Sequence, residues 1–167
     1  VMEPYKQFLA KYYYDIIKMN GKTCIKALQD IPEGFEASFD GIFKLLRQEK
    51  LLALKPSAGT HGDGFYRMEY ADGKYLINGK EMTEDEIVAM ISGFKSIYVI
   101  TEYLFMHHEL KKIYPNSVNT IRVAVVNQNA YEPKIMQTYM RIGSSKSGFT
   151  DNVGYGGICA KIDTATG

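Results

Sequence analysis

The sequence predicts an α+β fold: a helical N-terminal part, then a mixed, mainly antiparallel sheet with flanking helices. Three observations carry this. Tyr5, Phe8, Leu9, Tyr12 and Ile16 recur at helical spacing. Asp72-Gly73 and Asn78-Gly79, both hairpin-turn pairs, bracket a short apolar run. Thr83-Glu84-Asp85-Glu86 forms a capping box, in which a hydroxyl and a carboxylate satisfy the free N–H groups of a helix start.

Taken in order, the first helix is expected from about Pro4 to Lys18, with Asn20-Gly21 as its stop. Pro32-Glu33-Gly34 reads as a turn and Phe39–Gln48 as a second helix with Phe39, Ile42, Phe43 and Leu46 on one side. Leu51–Leu54 is a short strand, followed by a glycine-rich loop, Ser57–Gly64. Phe65–Tyr70 and Lys74–Ile77 read as strands, and the capped helix ends at Gly93. Ile97–Thr101 is a strand, and Phe105–Ile113 a short helix stopped before Pro115. Asn119–Val126 and Lys134–Ile142 form an antiparallel pair, and Gly157–Ile162 is the last strand. The expected organisation is a helical segment over 1–50, a small lobe with the loop over 51–103, and part of a second lobe over 104–167.

Composition excludes several classes. A chain of 167 residues holds one domain or two small lobes, and 46% hydrophobic residues rule out a disordered chain. Acids number 19 and bases 20, so no basic excess exists to drive bulk binding to nucleic acid. Cys24 and Cys159 form no CxxC pair, which excludes a zinc knuckle or redox motif, and two thiols suit a reducing cytoplasm. No apolar run approaches about 18 residues and no basic start precedes an apolar stretch, so no membrane span or leader is expected.

Four segments could carry chemistry. Lys55 ends a strand, Pro56 fixes the exit, and Gly59, Gly62 and Gly64 allow backbone N–H groups to approach an anion. A solvated lysine beside a glycine-rich hairpin is the plain alternative. Glu102 enters a turn after a strand, and Glu109 follows on a helical segment, where a surface charge is the plain alternative. His107 and His108 are adjacent and so diverge; a zinc site would need His61 to converge on them. Arg122 alternates with Ile121 and Val123, and Arg141 raises the same possibility one strand later: an arginine lining a cleft to grip phosphate or carboxylate, or one on a wet sheet face. Asp151-Asn152 precedes a Gly-rich approach to a strand, also compatible with an ordinary turn.

The order of these pieces, from about Leu51 to Gly167, resembles the ATP-grasp superfamily, in its glutamate-ligase-related or sugar-transfer-associated branch. The Lys55-Pro56 and glycine loop is similar to the family's phosphate-covering loop. Ile100–Leu104 is similar to its hinge strand, and Ser117–Val123 and Met140–Ile158 to its later core strands. The resemblance implies two α+β lobes that hold ATP. It implies activation of a carboxylate as an acylphosphate, then attack by an amine or related nucleophile. By the same resemblance Lys55 contacts the α- and β-phosphates. Gly59, Gly62 and Gly64 close over them. Glu102, with the backbone near Leu104, meets the adenine, and Glu109 the ribose. Arg122 and Arg141 act in catalysis on the transferring phosphate or the acceptor carboxylate, and Asn152 is the Asn before the paired glycines. An earlier lysine, Lys26 or Lys44, is expected on the phosphate side.

Some residues depart from the family. Asp151 stands where glutamate-adding ligases more often carry Arg, and His107–Asn116 is longer than in the D-alanine–D-alanine ligase type. Asp163 is not in the family's metal motif, so the Mg2+ ligands are expected beyond Gly167, with the C-terminal part of the core missing. Expected partners are ATP and a small carboxylate or sugar-linked acceptor, without nucleic acid or membrane, and a homodimer is a reasonable outcome. Alternatives are a non-catalytic nucleotide- or anion-binding module and an ATP-dependent phosphotransferase to a sugar hydroxyl.

Overall fold

Asn20 and Gly21 both adopt positive φ, 51° and 77°, which is the geometry of a two-residue hairpin turn. In the computed structural model, which describes residues 3–58 and 63–167, this turn joins two strands and ends no helix. The expected helix over 4–18 is therefore corrected. A 3₁₀ helix covers only Glu3–Phe8, and the chain continues as strand β1, Tyr12–Met19. Tyr12, Tyr13, Tyr14, Ile16 and Ile17 are aromatic or β-branched and fit a pleated surface better than a helix. Strand β2, Lys22–Ala27, returns against β1 with Lys22 opposite Met19.

The α-helix described within residues 1–50 is α1, Phe39–Glu49. The Ser38 side chain caps it by accepting the Gly41 N–H at 3.0 Å, and Asp40 and Arg47 sit at the ends their charges favour. Strand β3, Leu51–Pro56, follows at once. The remaining elements of the first unit are β4, Tyr66–Ala71; β5, Lys74–Ile77; β6, Lys80–Met82; helix α2, Glu84–Ser92; and β7, Tyr98–Glu102. Both expected hairpin turns are present, and the Thr83–Glu86 capping box makes both of its reciprocal bonds. Strand β6 has three residues, too few to show an alternation in the sequence.

These strands form a seven-stranded sheet in the order β2-β1-β7-β3-β4-β5-β6. Strand β7 lies between β1 and β3, antiparallel to both. One face is apolar: Tyr14, Ile16, Leu52, Leu54, Met68 and Ile100 join Ile42, Phe43, Leu45 and Leu46 of α1 and Ile87 and Ile91 of α2 in one buried core. Leu51 thus opens a strand inside this sheet.

The described chain divides into two compact units, Val1–Tyr103 and Leu104–Gly167. In the second, α3 covers only His108–Lys111, shorter than expected, because none of its residues is buried and a short helix without a packed face does not extend. Strands β8, Thr120–Val126; β9, Lys134–Ile142; and β10, Ile158–Ile162 form a three-stranded antiparallel sheet with β9 in the middle. No helix among the described residues is long and apolar enough to cross a membrane.

Candidate functional site

Alternation along the first unit's strands sends a second set of side chains to the face opposite the helices. Lys55 pairs with Val99, and Ala53 with Thr101 on one side and Arg67 on the other. The result is a floor of small or buried residues, with Ala53, Val99 and Thr101 buried, flanked by two cations. The Lys55 ammonium lies 5.9 Å from the centre of the Tyr12 ring and has no carboxylate partner among the described residues. Burial pushes its pKa down, and an anion placed against it would push it back up. Arg67 pairs with Glu69 at 2.8 Å and lies 5.8 Å from the centre of the Tyr103 ring, a cation over an aromatic face. Burial raises the Tyr103 pKa.

The register also separates the two earlier lysines. Lys26 pairs with Asp15, Asp15 with Val99, and Val99 with Lys55, so Lys26 shares the face of Lys55. Lys44 instead lies on α1, where its ammonium donates to the Gly34 carbonyl at 3.1 Å. Gly59, Gly62 and His61 of the glycine-rich segment lie outside the described residues. Gly64 is described. Its φ is +74°, and a Cβ there would stand 2.5 Å from the Tyr98 hydroxyl and 3.1 Å from Pro56 Cγ, so only glycine fits. The other end of the loop is tied by the Ser57 N–H, which donates to the Ile97 carbonyl at 2.9 Å.

Glu102 pairs with Leu52 and so belongs to the helix-side face, opposite Lys55. Its carboxylate accepts the Lys11 N–H at 3.1 Å, while its own N–H donates to the Lys11 carbonyl at 2.9 Å. Leu104 is exposed. Glu109 is exposed on α3, where Lys112 Nζ holds it at 2.8 Å and His108 Nε2 at 3.1 Å.

The second unit brings both candidate arginines to one face of its sheet. Thr120 pairs with Arg141 and Arg141 with Cys159; Arg122 pairs with Tyr139 and Tyr139 with Lys161. Arg141 is fixed in place. Its Nη2 donates to Asp151 Oδ1, its Nε donates to the Asp151 carbonyl at 3.3 Å, and Thr120 Oγ1 donates to Asp151 Oδ2. Asp151 is buried. Asn152, also buried, accepts the Gly154 N–H at 2.8 Å through Oδ1 and the Gly157 N–H at 2.9 Å through its carbonyl. The Asp-Asn-Gly-rich segment is thus a turn, and that turn carries Asp151 onto Arg141. Gln137, Tyr139, Arg141, Asn152, Val153, Cys159 and Lys161 line a cavity of about 640 Å³, within the size range of small-molecule sites.

Two contributors were not singled out in the sequence. Arg67 alternates with inward-facing Tyr66 and Met68, a signal present in the sequence. Lys161, between Ala160 and Ile162 on the five-residue last strand, carried the same signal. Among the described residues no group of three His, Cys, Asp or Glu side chains could hold a metal ion. On the first unit's face Lys55 stands beside the buried, uncharged Ala53, Val99 and Thr101, a surface chemically suited to an anion.

A protein-family model described as sugar-transfer associated ATP-grasp matches residues 20–167. No curated protein and no solved structure matches the chain.

Proposed function

Because the chain belongs to the sugar-transfer associated ATP-grasp family, we propose that it is the ATP-binding portion of a ligase that activates a carboxylate as an acylphosphate for attack by an amine or related nucleophile. The observation that best supports this reading is the shared sheet face of Arg122 and Arg141, with Arg141 held rigid by buried Asp151. Phosphoryl transfer needs charge in a fixed place more than it needs bond-making groups. An arginine whose orientation is set before the ligand arrives meets that need, because little ordering remains to be done.

In this reading Lys55 holds the α- and β-phosphates, Lys26 assists from the same sheet face, and Gly59, Gly62 and Gly64 cover them. The backbone near Leu104 meets the adenine, and Glu109 the ribose, while the Glu102 carboxylate, on the face opposite Lys55, ties the hinge strand to Lys11. Arg122 and Arg141 steady the transferring phosphate or the acceptor carboxylate, while Asn152 shapes the turn beside them. ATP, when bound, supplies the phosphoryl group that turns a carboxylate oxygen into a leaving group.

Calorimetric titration with ATP, with and without magnesium, tests the reading. Lys55→Ala should weaken binding at least tenfold, about 1.4 kcal/mol. No binding of millimolar ATP to the intact chain, or equal binding by the variant, would sink the proposal. The intact protein, incubated with ATP, magnesium, a carboxylic acid and an amine, should then give ADP, inorganic phosphate and an amide; a phosphate ester would assign phosphotransfer to a hydroxyl instead.

A further inference from the structure

The three cations on the second unit's sheet face are electrostatically unlike. The charge of Arg141 is already offset by buried Asp151. Arg122 and Lys161 have no carboxylate partner among the described residues. They occupy the two ends of a single cross-strand row, Arg122–Tyr139–Lys161. Neighbouring strands lie about 4.8 Å apart, so their Cα atoms are separated by roughly 10 Å. The half-buried Tyr139 stands between them. Gln137 follows on the same face of β9, and its cross-strand neighbour is Ala124, whose small side chain leaves room above the sheet.

Each part of this row selects for a property of the ligand. An aromatic ring offers a flat apolar surface to the C–H face of a saturated ring. A side-chain amide both donates to and accepts from hydroxyl groups. Two uncompensated cations favour an anion, and a neutral ligand would leave both without a partner. A planar phosphate clamp alone would have no use for the tyrosine between the charges.

We propose that Arg122, Tyr139 and Lys161, with Gln137, form the acceptor subsite and that it takes an anionic sugar, a pyranose bearing a carboxylate or a phosphate. The proposal rests on the ATP-grasp ligase reading for the word acceptor, while the binding itself stands on the row. The test is calorimetric titration of the full chain with glucuronate, glucose 6-phosphate and glucose, in the presence and absence of ATP. At least one charged sugar should bind tenfold or more tighter than glucose, and which one binds identifies the anionic group. Lys161→Gln should weaken that sugar about tenfold and leave ATP affinity within twofold; Tyr139→Leu should weaken it as well. Lys161 is exposed, and an unchanged circular dichroism spectrum would confirm that the variant folds. Equal binding of glucose, no binding of either charged sugar, or no effect of Lys161→Gln would overturn the proposal. Displacement of the sugar by ATP would also overturn it, by assigning the row to the nucleotide, and would leave the ATP reading intact. Sugar binding without any ATP binding would do the reverse.

Discussion

Arg141 and Arg122 share a sheet face, yet one is held by Asp151 and the other reaches solvent. Removing one partner of a buried pair leaves the other charge uncompensated. Asp151→Ala should therefore cost about 3 kcal/mol, read from urea unfolding followed by a probe in residues 104–167. Arg122→Ala should change that stability little, since its side chain makes no ion pair to lose. Asp30 gives a second residue-scale effect. Its carboxylate accepts the Tyr12 N–H at 2.8 Å and pairs with Lys6 at 3.1 Å. The Tyr12 N–H, then Lys6, hold its pKa below the ordinary 3.8. The stabilisation is complete above that ordinary value and disappears as pH falls through the lowered one. Asp30→Asn should accordingly flatten the loss of stability below roughly pH 4, measured as unfolding midpoint against pH. At this scale the sequence was informative where alternation isolates a charge, as for Arg122. It marked Asp151 but was silent on its pairing with Arg141, because the two are ten positions apart and only folding brings them together.

Helix α2 shows how an element can be read from its first turn. Thr83 accepts the Glu86 N–H at 3.2 Å, and Glu86 accepts the Thr83 N–H at 2.8 Å. Thr83→Ala should cost about 1 kcal/mol, seen as a lower urea midpoint with an unchanged slope. Strand β1 shows why another element was misread. Tyr12 and Ile16 are four apart, a spacing that satisfies both a helical stripe and a strand of alternating faces. The Asn20-Gly21 pair carried the deciding information, since it favours a hairpin turn more strongly than a helix stop. The short strands β2 and β6 escaped notice because pairing, and not local pattern, defines them.

The α+β class and most of the strand order along the chain were legible, because turn dipeptides and a capping box punctuate it. Which strands become neighbours was not, since that depends on non-local pairing. A ligand that binds only the folded chain should raise its stability. ATP at one hundred times its dissociation constant should add about 2.7 kcal/mol, visible as a higher thermal midpoint; with binding weakened tenfold, Lys55→Ala should cut that gain to about 1.4 kcal/mol at the same concentration. The place of β7 also bears on how the chain is made. Strands β1 and β3 never pair with each other, and both pair with β7, the last strand of their unit to be synthesised. On the ribosome, the hairpin of β1 and β2 and the meander of β3 to β6 can each form early, but a slot one strand wide stays open between them. Until Tyr98–Glu102 emerges, two inner edges face outward, and in that interval the nascent chain is most open to a wrong partner.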